Sequence, residues 1–258
     1  MTEWPKKYAD RAVGKQLFDY LADEQDTAHN AKYDLLEQMP YVDRLMEIFN
    51  AWLNREGALL QNEKIYYCLC SYAKAQLFAG CAHYMRGHLT TGFMTSRLAL
   101  DAALYAEAIA AGDLSLEDYF TNERKRNGIS RHYWNLQRQG SLPNNRIEPL
   151  MRKINVLSSH AAHAEPKVWF NRLDETHKEH FSFSLFEKVE SDKHYKYFFH
   201  SILWFSSMAL QSFLCIAQER FSLDTGGLLA EVEAWQDSME VNKENFDISA
   251  GPDSALPG

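Results

Sequence analysis

The sequence is short of everything that builds a turn-rich or disulfide-stapled fold. Only 12 of its 258 residues are glycine and 7 are proline, which argues against strands and turns and for helices. Four cysteines, Cys68, Cys70, Cys81 and Cys215, are too few and too clustered for a disulfide framework. They read as small buried apolar residues in a reducing compartment. The first residues, MTEWPKKYADRAVG, lack the apolar core of a signal peptide, so a cytoplasmic location is expected. An overall positive charge is missing too: the formal net charge is −8, which weighs against general nucleic-acid binding. The one long uncharged run, Tyr197–Gln218, contains His200, Ser201, Ser206, Ser207, Gln211 and Ser212. That is too much polarity for a lipid-facing span. A buried bundle helix is expected there, and no membrane partner.

Local catalytic motifs are missing as well. The sequence has no Walker A loop, no dinucleotide glycine pattern, no HExxH and no GxSxG. The commonest cofactor-dependent classes are therefore not indicated, and no cofactor is expected. The chain does have an ample core, with 46% apolar and 13% aromatic residues.

The stretch Thr91–Gly112, TGFMTSRLALDAALYAEAIAAG, predicts a helix that is apolar nearly all round. Such helices are normally buried. Arg97, Asp101 and Tyr105 fall on one stripe, each about 40° on from the last. A buried charge must be paired, so the expectation is a buried Arg97–Asp101 pair at the heart of a bundle. Downstream, LSSHAAHAEP places His163 one helical turn after Ser159. These two are expected to join Arg97, Asp101 and Tyr105 in a buried polar core.

Around this helix the pattern predicts others at Lys7–Asp23, from Pro40 to about Leu60, and at Asn62–Met85. Ser115 and Asp118 form a capping box that opens a further helix. Gly128 and Gly140–Pro143 punctuate the segment beyond, with helices at Ser130–Arg138 and Arg146–His160. Lys167–Arg172 and His180–Lys188 alternate like two strands, a small β-hairpin near 167–188 inserted into the bundle. Asp192–Phe221 and Leu228–Met239 close the series. The polar stretch Gln25–Lys32 reads as a loop and residues 241–258 as a disordered tail. The expected fold is all-α, one multi-helix domain over residues 1–240.

Charge is unevenly spread. Residues 123–153 hold eight Lys and Arg against two Glu, the one surface suited to an anionic partner such as RNA. Arg126 and His132 lie within it, beside Tyr133 and Trp134, which could stack on bases. An Arg followed at short spacing by His is the pattern of metal-independent HEPN-type ribonucleases, with Arg126 as phosphate clamp and His132 as acid/base. The same spacing recurs at Arg172 and His177, so the pattern alone decides little. A metal site is the other chemical reading. His160 and His163 form HxxH, as do His177 and His180, but the ExxH pairs of di-iron bundles are absent.

Together, SRLALDAALYAEAI and VLSSHAAHAEP resemble bacterial all-helical families of unknown function. In those, an Arg-x3-acid-x3-Tyr helix is followed by Ser-x3-His and a nearby proline. The resemblance covers roughly residues 91–166 and is distantly HEPN-like. It implies a helical fold and a pairing of the two segments, and no substrate. The primary functional expectation is an interaction or accessory module that forms a homodimer through apolar helix surfaces.

Overall fold

The computed structural model describes residues 15–55, 61–161, 173–177, 180–183 and 192–241. Among them lie nine helices: α1 (Lys15–Asp34), α2 (Met39–Leu53), α3 (Gln61–Met85), α4 (Leu89–Ala111), α5 (Leu116–Thr121), α6 (Glu123–Arg138), α7 (Ile147–Ala161), α8 (Asp192–Phe221) and α9 (Leu228–Val241). Two short strands, Leu173–His177 and His180–Phe183, pair antiparallel with Leu173 opposite Phe183. The stretch 167–172, expected as the first strand, and the tail from 242 onward lie outside the described residues.

The chain is an all-α bundle organised around α4, which packs against α3, α7 and α8. The sequence pattern predicts the same packing, with Thr91–Gly112 against Asn62–Met85, Arg146–His160 and Asp192–Phe221. Alanine makes the central position workable: Ala99, Ala102, Ala103, Ala106 and Ala108 are all buried, and their short side chains let three helices approach one axis. The closest approach is between glycines. A Cβ added at Gly92 would sit 3.1 Å from the Gly80 carbonyl oxygen, and one at Gly80 would sit 3.0 Å from Thr95 Oγ1. Contacts this short are tighter than a Cβ ordinarily makes, so a side chain at either glycine would push the crossing of α3 and α4 apart by a few tenths of an ångström.

Helix ends follow local chemistry. Gly112 closes α4 in the left-handed conformation at φ 84°, and Asp113 N–H donates to the Ala108 carbonyl at 3.0 Å, a Schellman stop. Ser115 then caps α5, accepting from Asp118 N–H at 3.0 Å. Asn122 caps α6 by accepting from Lys125 N–H at 3.1 Å.

Two sequence expectations need correction here. Gln25–Lys32 is helix, not loop: α1 runs through it to Asp34. The segment contains neither glycine nor proline, and its polarity marks a solvent-facing helix whose Ala31 is buried. Gly128 likewise does not interrupt α6, which begins seven residues earlier than expected. A glycine inside a helix costs only about 0.5–1 kcal/mol relative to alanine, less than the two flanking turns contribute.

The apolar run in α8 is the other wall of the core. Tyr195–Phe221 is long and apolar enough to cross a membrane by length and composition, and 78% of its most apolar window is buried inside the bundle. Three of its four serines are satisfied within the chain. Ser201 and Ser206 hydroxyls donate to the carbonyls of Tyr197 and Ile202 at 3.1 and 2.8 Å, and Ser207 accepts from Gln236 Nε2 at 3.0 Å. All four cysteines are free. Cys70 and Cys81 are buried as expected, whereas Cys68 is exposed and Cys215 half-buried.

Candidate interaction site

Arg97, Asp101 and Tyr105 do share a stripe of α4, but it is the helix's open side. The Arg97 and Asp101 side chains keep 36% and 23% of their exposure and approach to 3.5 Å. The expected buried pair at the centre of the bundle is therefore corrected: this pair sits at the edge. The reason is crowding on the opposite faces, where α3, α7 and α8 converge and most of the buried residues are alanine and leucine. Arg97 Nε, shielded from solvent, makes no hydrogen bond among the described residues. Burial holds the Asp101 carboxyl above the usual carboxylate range, with the Arg97 guanidinium opposing.

The charge that is buried on α4 is Glu107, 1% exposed. Arg146, at the start of α7, donates from Nε to Glu107 Oε1 at 2.8 Å, and Asn144 Nδ2 donates to Glu107 Oε2 at 2.9 Å. The same guanidinium forks to both carboxylate oxygens of Glu219 on α8, at 2.7 and 2.8 Å. One arginine thus ties α4, α7 and α8 together. Its two carboxylate partners take four of the five guanidinium N–H groups, the condition on which a buried ion pair is tolerated.

Ser159 and His160 lie in the last turn of α7. His163 lies outside the described residues, and with it the expected second half of the polar core and the His160–His163 metal pair. Among the described residues no three His, Cys, Asp or Glu side chains converge on a metal site.

The open stripe of α4 forms one wall of a groove of about 380 Å³. Tyr72 and Cys68 of α3 form the facing wall, Tyr119 and Phe120 of α5 close one end, and Asp101, Tyr105 and Leu98 line the floor and edge. Arg126 reaches in from α6. Its Nη1 donates to the Tyr119 carbonyl at 2.9 Å, and the guanidinium lies 5.9 Å from the Tyr119 ring centre. Burial pushes the Tyr105 hydroxyl up, reinforced by the Asp101 carboxylate. Burial does the same at Tyr119, against the nearby Arg126.

In the sequence Arg126 and the Arg97–Asp101–Tyr105 stripe stand apart; the fold brings Arg126, Asp101 and Tyr105 to one groove. It does not bring His132 there. That side chain, half exposed, faces Asp113 at 3.7 Å, beside the Tyr133 hydroxyl that donates to the same carboxylate at 3.0 Å. Arg126 and His132 are engaged by different neighbours.

The groove's rim is apolar and open. Tyr72, Leu98 and Phe120 are 43%, 40% and 67% exposed, and Met94, one turn from Leu98, is 47% exposed. The patch is hidden in the sequence because each residue sits in an ordinary amphipathic pattern, and only the packing of α3 on α4 shows which side stays uncovered. Compared with family models, with curated proteins and with solved structures, the chain matches none.

Proposed function

We propose that this chain is an interaction module that associates with a second copy of itself through the α3–α4–α5 face. The observation that carries the reading is the exposed quartet of Tyr72, Leu98 and Phe120 around one groove and Met94 one turn from Leu98. At ~200 Å² for a large side chain, their exposed fractions amount to roughly 400 Å². A standard interface takes about 800 Å² from each partner, and a little over half of it is non-polar. The patch supplies that apolar share, and the polar rim around it supplies the rest.

Charge also suits a two-fold contact. The groove carries one carboxylate, Asp101, and one guanidinium, Arg126. In an isologous pair each residue of one copy can meet the opposite charge of the other. Phe120, the most exposed of the four, is the side chain placed to enter the partner's groove, where an aromatic anchor contributes most.

Light scattering on purified protein tests this. The expected result is a dimer that Leu98→Glu converts to a monomer with unchanged circular dichroism, since Leu98 is open to solvent and a charge there costs the fold little. A wild-type chain that stays monomeric at about 1 mM, where even a contact worth about 4 kcal/mol is half formed, overturns the proposal.

A further inference from the structure

Helix α6 carries five arginines and lysines besides its histidine. Two of them are committed to α5: Lys125 pairs with Asp118 at 2.5 Å, and Arg126 is held by Tyr119. The other three, Arg124, Arg131 and Arg138, are exposed and have no acidic partner among the described residues. They recur every seven residues, which keeps them on one line of the helix surface, about 10 Å apart. Asn127, Ser130, Trp134 and Asn135 lie between them, lining an open concavity of about 800 Å³. Within the line itself no side chain is acidic, unlike the mixed-sign surface of an ordinary solvated helix; Glu123, beside it in the first turn, accepts from Asn127 Nδ2 at 3.4 Å.

Two features of this face run against the stability of α6 itself. Arg124 sits in the first helical turn, where the positive end of the helix dipole disfavours a cation. Gly128 stands inside the helix, on the same line, and a Cβ there would meet nothing within 4 Å. No contact among the described residues requires that glycine, although glycine weakens a helix relative to alanine. Local rules broken without an internal reason are the mark of a surface shaped for something outside. A glycine between arginines lets a ligand backbone approach the helix closely.

We infer that this face of α6 binds single-stranded RNA, independently of the self-association face. The three guanidinium forks match phosphate oxygens. Trp134 offers a ring on which an unpaired base can stack. Asn127, Ser130 and Asn135 supply both donors and acceptors, as a 2′-hydroxyl requires. The acidic remainder of the chain confines the polyanion to this one line.

The test is fluorescence anisotropy with the full chain and a labelled oligouridine of about 12 nucleotides, within the site sizes of single-strand binders. Three phosphate contacts predict a slope of about −2 in log K against log salt, since each contributes about −0.7 on a single strand. Arg131→Ala should flatten the slope by about 0.7 without moving the melting temperature, because the side chain has no partner to lose. Gly128→Ala is the sharper variant. It should raise the melting temperature by about 2 °C while weakening RNA binding several-fold. No binding at low salt, an unchanged slope in Arg131→Ala, or full affinity in Gly128→Ala would each overturn the inference. Equal affinity for the oligodeoxyribonucleotide of matching length would overturn the assignment to RNA.

Discussion

Helix α4 carries two ion pairs of opposite character, one at its middle and one near its C-terminal end. Arg97 and Asp101 are neighbours in sequence, one turn apart, and meet at 3.5 Å on the open side of the helix. Glu107 finds its partner 39 residues away, in Arg146, at 2.8 Å and almost out of solvent. The local pair could form in an isolated helix, where such pairs contribute about 0.2–0.5 kcal/mol. The distant pair exists only when α4, α7 and α8 are assembled. Proximity in sequence therefore marks the weaker interaction and separation the stronger one. The first pair decorates an open surface; the second fixes the register of three helices.

The largest expected effect breaks the second pair. Arg146→Met leaves Glu107 buried with only Asn144 to bond it, and removing one partner of a buried pair costs about 3–5 kcal/mol. Chemical denaturation of the variant should show that loss. The companion Glu107→Met/Arg146→Met removes both charges, and most of the stability should return, because an apolar pair of similar volume needs no compensation. A double variant as unstable as the single one would mean that the geometry of the fork to Glu219, not the charge of Glu107, is what α7 depends on.

The same two pairs show what can be read from residues alone. The bundle, the central place of α4 and its three neighbours follow from the spacing of apolar residues and from where glycine and proline interrupt it. The identity of the buried charge does not follow as directly, but it has a trace. Leu100, Ala103, Leu104 and Ala108 are buried with Glu107, a stripe that is apolar except for that one carboxylate. The Arg97–Asp101–Tyr105 stripe has two charges and a hydroxyl, and a stripe that polar belongs at an edge. Composition averaged around the helix hides this; face-by-face reading finds it. Arg146 as the partner has no trace, because a contact across 39 residues is set by how α7 returns to the bundle. The groove is hidden for the same reason, since its walls come from α3, α4 and α5 and its cation from α6. Gly128 misleads in the other direction: a glycine between polar residues reads as a break, and only the continuous α6 shows that it is a position on a surface.

Smaller effects belong to the open pair. Arg97→Ala should change stability by less than 1 kcal/mol, the range of partly exposed ion pairs, and a larger loss would make the two pairs of α4 equivalent after all. Asp101→Asn probes the same pair through pH. The folded state holds the Asp101 carboxyl above its ordinary range, chiefly by burial, so folding favours the protonated form. Its contribution to stability is then fully present below the ordinary aspartate range and is lost as pH rises through the raised value. This is the reverse of a carboxylate whose partner holds it low. At neutral pH the asparagine variant, which carries no charge to desolvate, should be at least as stable as the wild type. Melting curves taken from neutral to acid pH should show that advantage shrinking as Asp101 takes up its proton. An advantage that grows on acidification would mean that Arg97 outweighs burial, and that the open pair of α4 is held as firmly as the closed one.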